Sequence, residues 1–95
     1  MSQGKKTVLI TGGSAGIGKI AAREIAGRGY QVYAAARRLQ QMEDLRESGV
    51  RPLRMDLTDS RSIQEGVKEI FSLSPGIDIL INNAGYGSYG AVEDV

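Results

Sequence analysis

The stretch Thr11-Gly12-Gly13-Ser14-Ala15-Gly16-Ile17-Gly18 decides the fold of this chain. It follows a short β-branched apolar run at residues 7–10 and opens a segment with helical spacing of apolar side chains. Glycines between a strand and a helix permit a tight turn and let the backbone approach a pyrophosphate. The start of the helix adds unpaired N–H groups and about half a positive charge. We predict that this loop binds nucleotide phosphates; an ordinary glycine-rich turn is the alternative.

Apolar runs and helical patterns alternate along the rest of the chain. Strands are predicted at residues 7–10, 31–36, 50–55 and 77–81. The first helix is predicted at residues 17–27. A short second helix is predicted from the apolar spacing of Leu39, Met42 and Leu45, and it ends at Gly49. The third is predicted to begin at a cap, Thr58 or Asp59, and to end before Ser74. Strands separated by helices predict an α/β fold with a parallel sheet and right-handed crossovers.

Each predicted helix carries an apolar face. The first has Ile17, Ile20, Ala21 and Ile25, and the third has Ile63, Val67, Ile70 and Phe71. Gly29 is a plausible C-terminal cap of the first helix. We expect the first two helices to cover one face of the sheet and the third helix to cover the other.

Composition excludes several kinds of site. The chain has 95 residues, of which 41% are hydrophobic, and it has no Cys and no His. These absences remove disulfides, thiolate zinc sites and Ser-His-Asp triads, so no metal site is expected. A net charge of +1 gives no reason to expect binding to nucleic acid or to a membrane surface. The longest apolar run, at residues 32–36, is too short to span a membrane, and we expect a cytoplasmic protein.

Polar residues follow the other three predicted strands. Arg37 and Arg38 follow the second, where an Asp or Glu would hold the ribose hydroxyls of NAD. Arginine can pair instead with the 2′-phosphate of NADP. We favour this role, with Arg37 ahead of Arg38, over the alternative that both arginines are simply solvated on the surface. After the third strand, the Asp56 carboxylate can accept a hydrogen bond from an adenine amine, or it can simply precede a turn. After the fourth, Asn82-Asn83-Ala84-Gly85 offers a backbone on which a ribose could lie, or a polar turn.

Together these motifs resemble the short-chain dehydrogenase/reductase family, over essentially the whole chain. The resemblance implies a Rossmann-type sheet, here partial, with strand order 3-2-1-4, and hydride transfer between NAD(P)(H) and an alcohol or carbonyl. It implies that the phosphates contact Gly12, Ser14, Gly16, Ile17 and Gly18, and that Arg37 selects NADP. It implies adenine contacts from Asp56 and Leu57, and ribose-side contacts from Asn83, Ala84 and Gly85. Asn82 would be mainly structural.

The catalytic pair of that family is not found in the 95 residues. The family uses a Tyr with a Lys four residues later, and none of the four Tyr has that partner. We expect one partial NADP-binding domain over residues 1–95, with a flexible loop at 86–95 and no catalysis alone. Two alternatives are one half of a split enzyme and a structural or truncated fragment that does not bind the cofactor. We also expect self-association through the edge of the fourth strand or an uncovered sheet face.

Overall fold

The computed structural model describes residues 5–12 and 16–82. Within these ranges the chain forms four strands, two α-helices and one 3₁₀ helix. In chain order they are β1 (Thr7–Thr11), α1 (Gly16–Gly27), β2 (Gln31–Ala36), the 3₁₀ helix (Leu39–Ser48), β3 (Arg51–Arg54), α2 (Ser60–Leu73) and β4 (Ile79–Asn82). The predicted loop at residues 86–95 lies outside the described residues.

The four strands form one parallel sheet in the order β3-β2-β1-β4. This order confirms the prediction of a partial Rossmann-type α/β fold. The central strand β1 pairs with β2 from Thr7 opposite Gln31 and with β4 from Val8 opposite Ile79. Because parallel strands share one direction, their carboxyl ends lie along the same edge of the sheet. The loops that follow β1, β2 and β3 therefore start side by side.

The two central strands, β1 and β2, are buried on both faces of the sheet, and the two faces have separate cores. Alternate residues of β1 and β2, such as Ile10 and Val32, pack with Ala22 of α1 and with Met42 and Leu45 of the 3₁₀ helix. The other residues of these strands, including Leu9 and Tyr33, pack with Leu53, Met55 and Ile70 on the α2 side. The division of the helices between the two faces is as predicted.

The buried side of α1 is not the face predicted from its isoleucines. Gly18 and Ala22 are its buried residues, whereas Ile17 is 75% exposed and Ile20 is 64% exposed. Ala21 and Ile25 lie between, half-buried against the core. Small residues let the helix axis approach the sheet closely, which turns the larger isoleucines to the outside.

The second predicted helix is a 3₁₀ helix. Its buried residues are Met42 and Leu45, three residues apart, which is the spacing of one 3₁₀ turn. It ends at Gly49, whose φ of 86° is left-handed and whose N–H donates to the Arg46 carbonyl. Gly29, after α1, also has a positive φ, of 96°, as expected for a C-terminal cap.

The start of α2 identifies which of the two predicted capping residues is used. Asp59 is the N-cap, and its side chain accepts a hydrogen bond from the Arg61 N–H at 3.0 Å. At the other end, the Tyr33 hydroxyl and Ser74 Oγ are 2.8 Å apart, which ties β2 to the end of α2. The position of α2 is therefore fixed at both ends.

In the described part of the chain, β4 pairs with β1 on one side and has no strand on the other. Ile79 is 38% exposed and Leu80 is 50% exposed, in contrast to the buried β1 and β2. Two hydrogen bonds hold the start of the strand, since the Thr7 N–H donates to Asp78 Oδ2 and the Asp78 N–H to the Thr7 carbonyl. No helix among the described residues is long and apolar enough to cross a membrane.

Candidate nucleotide-binding site

An open cleft of about 450 Å³ lies at the carboxyl ends of β1, β2 and β3. Its walls come from the turn after β1, from the end of β2 with the start of the 3₁₀ helix, and from the segment after β3. The lining residues are Gly12, Ala35, Ala36, Arg37, Arg38, Gln41, Met55, Asp56, Leu57 and Thr58. Open parallel sheets bind ligands at this edge, so the position of the cleft agrees with the predicted site.

Gly12 begins the segment predicted to bind phosphates, and its backbone conformation favours glycine. Its φ is 75°, in the left-handed region, and its N–H donates to the Ala35 carbonyl of β2 at 2.8 Å. This hydrogen bond turns the chain away from the sheet immediately after β1. Ser14, another predicted phosphate contact, lies outside the described residues.

The α1 helix begins at Gly16, where no described residue lies within 4 Å of a Cβ added to the glycine. The exposed Ile17 is in the first turn of the helix, and Gly18 is buried against the sheet. The free N–H groups at such a helix start attract anions. Of the predicted phosphate contacts, the structure thus places Gly12 in the cleft and Gly16, Ile17 and Gly18 in the first turn of α1.

Two arginines border the cleft where β2 ends. Arg37 and Arg38 are both exposed and both line it. Arg38 has extended backbone, with φ −108° and ψ 96°, and begins the 3₁₀ helix. Neither arginine is in a salt bridge among the described residues. Their guanidinium groups are therefore available to an anionic ligand.

Asp56 lines the cleft in the segment after β3 and is held from two directions. Its Oδ1 accepts hydrogen bonds from the Thr58 N–H at 3.0 Å and from the Thr58 hydroxyl at 2.7 Å. Its own N–H donates to Ser62 Oγ at 2.9 Å. The Thr58 hydrogen bonds, and then the positive charges of Arg37 and Arg54, lower the pKa of Asp56 below its usual value. The carboxylate is therefore ionised at neutral pH, and both of its oxygens can accept hydrogen bonds.

Leu57, the second predicted adenine contact, is 42% exposed and lines the cleft beside Asp56. An exposed leucine at this position gives an apolar surface on which a planar ring can lie. Gln41 and Thr58 also line the cleft and were not predicted. A signal for Thr58 exists in the sequence, because a Thr two residues after an Asp often closes a turn with it.

Asn82 lies at the end of β4, and the Thr11 hydroxyl donates to its Oδ1 at 3.0 Å. This bond joins the carboxyl ends of β1 and β4, in accordance with the structural role predicted for Asn82. Asn83, Ala84 and Gly85, the predicted ribose-side contacts, lie outside the described residues.

The acidic side chains and Tyr33 among the described residues bear on metal binding and proton transfer. No three acidic side chains among residues 5–12 and 16–82 are close enough to hold a metal ion. Tyr33 is buried, and its hydroxyl is bonded to Ser74, which precedes β4. The cleft combines a left-handed glycine turn, two exposed cations and an oriented carboxylate. An anionic group of a ligand could therefore meet both a glycine turn and two cations in this cleft.

The chain belongs to the short-chain dehydrogenase family, whose sequence model matches residues 6–95. It is 42% identical over 86 residues to a 3-ketodihydrosphingosine reductase from Bacteroides thetaiotaomicron, with 90% of this chain and 30% of the relative covered. It is 40% identical over 85 residues to an NADPH-dependent 1-acyldihydroxyacetone phosphate reductase from Schizosaccharomyces pombe, with 87% and 29% covered. The chain thus spans about 30% of the length of these curated relatives.

A solved structure of similar fold is the actinorhodin polyketide ketoreductase with NADPH. It superimposes with a TM-score of 0.79 at 29% identity, over 88% of this chain and 34% of that one. The family membership and the strand order therefore agree on an oxidoreductase fold.

Proposed function

We propose that this chain is the NADP(H)-binding part of a short-chain oxidoreductase that acts on an alcohol or a carbonyl compound. The single observation that carries the proposal is the cleft that brings Gly12, Arg37 and Asp56 together at the carboxyl edge of the sheet. The similarity to an NADPH-dependent reductase and to a ketoreductase solved with NADPH supports it. When bound, the nicotinamide cofactor supplies hydride transfer.

In this proposal different residues contact different parts of the nucleotide. The pyrophosphate contacts Gly12, Ser14, Gly16, Ile17 and Gly18, and the 2′-phosphate pairs with Arg37. Asp56 accepts a hydrogen bond from the adenine amine, and Leu57 contacts the ring. The ribose side contacts Asn83, Ala84 and Gly85.

NADP is preferred over NAD because the end of β2 carries cations and no carboxylate. An Asp or Glu at this position would repel the 2′-phosphate, whereas Ala36 is neutral and Arg37 is exposed and unpaired among the described residues. Charge-assisted hydrogen bonds of this kind contribute about 1.5–3 kcal/mol each. We therefore expect NADPH to bind about 10–100 times more tightly than NADH.

Calorimetric titration with NADPH and NADH tests the proposal. Arg37→Ala should weaken NADPH binding about 10–100-fold and leave NADH binding nearly unchanged, because only NADPH carries the 2′-phosphate. Arg51→Ala is the matched control, since Arg51 is equally exposed but lies at the amino end of β3. No binding of either nucleotide at millimolar concentration would overturn the proposal and favour a structural fragment. Equal effects of the two substitutions would remove the selective role of Arg37.

We propose further that these 95 residues bind the cofactor without turning over substrate. The support is that no Tyr of the sequence is followed four residues later by Lys. Mixing with a polypeptide that supplies the remaining two thirds of a relative should then restore carbonyl reduction, as in a split enzyme. Turnover by the chain alone would contradict this part of the proposal.

A second proposal concerns self-association of this chain through β4. Its support is the half-exposed Leu80, the unpaired side of the strand among the described residues, and an apolar cleft between β4 and α1. That cleft is lined by Val8, Glu24, Ile25, Arg28, Tyr30, Ile79 and Ile81. A second copy can add its own strand to such an edge.

Sedimentation velocity at several protein concentrations measures this association. Leu80→Lys should shift the chain towards monomer, because a charge on an edge strand opposes strand addition. Gln40→Lys adds the same charge on the 3₁₀ helix, which packs beside β3, and should change nothing. A wild-type chain that is monomeric at every concentration would refute the proposal.

A further inference from the structure

The segment after β3 holds the Asp56 carboxylate asymmetrically. Both hydrogen bonds from Thr58, one from its N–H and one from its hydroxyl, reach Oδ1. Among the hydrogen bonds of the described residues, none goes to Oδ2. One carboxylate oxygen is thus committed to the turn, and the other is available to a ligand in the cleft.

The backbone of Asp56 is held as well. Its N–H donates to the hydroxyl of Ser62 in the first turn of α2, and Asp59 caps the same helix. The Asp59 N–H donates to the Asp56 carbonyl at 3.0 Å, which closes the turn. Because the backbone of Asp56 is anchored to α2, only the side-chain torsions can reorient its carboxylate. The hydrogen bond from the Thr58 hydroxyl to Oδ1 restricts these torsions.

We propose that Thr58 is a positioning residue that orients Asp56 so that the site accepts adenine and rejects hypoxanthine. This inference rests on the proposed function. The exocyclic amine of adenine donates a hydrogen bond, and a fixed carboxylate oxygen accepts it. Hypoxanthine carries a carbonyl oxygen at the same ring position, and two acceptors facing each other repel. A freely rotating carboxylate would discriminate less, because it could turn its charge away from that carbonyl.

Thr58 does not act through the stability of the fold. It is exposed, so water can replace its hydroxyl without leaving a buried group unsatisfied. The N-cap of α2 is Asp59 and not Thr58. Removing the hydroxyl should therefore change the orientation of Asp56 while the melting temperature stays nearly constant.

The test compares NADPH with its hypoxanthine analogue by calorimetric titration of the wild-type chain, Thr58→Val and Thr58→Ser. Valine has the shape of threonine without the hydroxyl, and serine keeps the hydroxyl. We expect the wild type to prefer the adenine nucleotide at least tenfold, as one charge-assisted hydrogen bond allows. Thr58→Val should reduce that preference about threefold to tenfold, and Thr58→Ser should preserve it.

A second measurement needs no nucleotide. NMR titration of the Asp56 carboxyl should give a higher pKa in Thr58→Val than in the wild type, with Thr58→Ser close to the wild type, because the hydroxyl stabilises the ionised form. If the wild type binds no NADPH, the proposed function fails and this inference with it. If NADPH binds but Thr58→Val keeps the full adenine preference, this inference alone is wrong. An unchanged pKa in Thr58→Val would equally refute the orienting role.

Discussion

The packing of α2 on the sheet can be tested by truncating two neighbouring side chains. Ile70 is fully buried in the core on the α2 side, whereas Phe71, the next residue, is 56% exposed. Adjacent residues of an α-helix point about 100° apart, so the two substitutions report on the rotation of the helix about its axis. Sequence alone favours a larger loss at Phe71, because it has the larger apolar side chain.

Ile70→Ala removes buried methyl groups and leaves a cavity, at a cost of about 2–5 kcal/mol. A 95-residue domain has about 5–14 kcal/mol of stability at typical values per residue. The substitution should therefore remove a large share of the stability and lower the melting temperature by at least about 8 °C. Phe71→Ala should cost less than about 1 kcal/mol, since more than half of the side chain is already in water.

Urea denaturation followed by far-ultraviolet circular dichroism measures both losses. The dependence of the unfolding free energy on urea should stay the same in the two variants, which shows that the midpoints can be compared. A loss at Phe71 equal to or larger than that at Ile70 would refute the rotation of α2 on the sheet.

The remaining predictions concern two glycines and one ion-pair cluster. Gly49→Ala should destabilise the chain by about 1 kcal/mol, because the φ of Gly49 is left-handed at 86°. Gly27→Ala should stabilise it by about 0.4–1 kcal/mol, because no described residue lies near the added Cβ and the φ of Gly27 is not left-handed. Thermal melts that show the same sign for both substitutions would contradict this. Asp44 bonds to Lys19 at 3.1 Å and to Arg23 at 2.9 Å, and chiefly the Lys19 hydrogen bond lowers the pKa of this carboxyl. Its stabilising contribution is present above the unfolded pKa near 4 and is lost as the pH falls through the lower folded pKa, so Asp44→Asn should flatten the pH dependence of the melting temperature below about pH 4.

The sequence was sufficient to predict the sheet because strands and helices alternate with clear boundaries. Gly12, Gly29 and Gly49 all adopt the positive φ that ends an element. The β-branched and alanine-rich runs have the continuous burial of a parallel sheet. Right-handed crossovers then leave few possible topologies, and the observed order is the one that the motifs indicated.

The face of α1 could not be predicted in the same way. Apolar spacing selects Ile17, Ile20, Ala21 and Ile25, whereas the residues that are buried against the sheet are Gly18 and Ala22. The fully buried residues of α1 are small, and Ile25 is half-buried against the same core. A hydrophobic pattern reports where apolar side chains lie on a helix, whereas close packing selects the smallest of them.

The charged and glycine residues of the candidate site could be predicted from the sequence, whereas the residues that hold Asp56 in place could not. Arg37 and Asp56 follow strands directly, so the parallel topology alone brings them to one cleft. Thr58 and Ser62 reach Asp56 through hydrogen bonds whose partners depend on how the segment between β3 and α2 turns. A turn of this kind is fixed by the start of the helix, which the sequence left open between Thr58 and Asp59.

The cleft and the edge strand β4 are formed by different parts of the fold. The three strands that end at the cleft include β1 and β2, whose residues are almost all buried. In contrast, β4 is half-exposed and contributes no residue to the cleft. The adenosine side of the proposed cofactor site therefore depends on the most buried part of the sheet, and the surface proposed for self-association depends on the least buried part. Among the described strands β1 joins the two parts, because it pairs with both β2 and β4, and the hydrogen bonds from Thr7 to Asp78 and from Thr11 to Asn82 add to its pairing with β4.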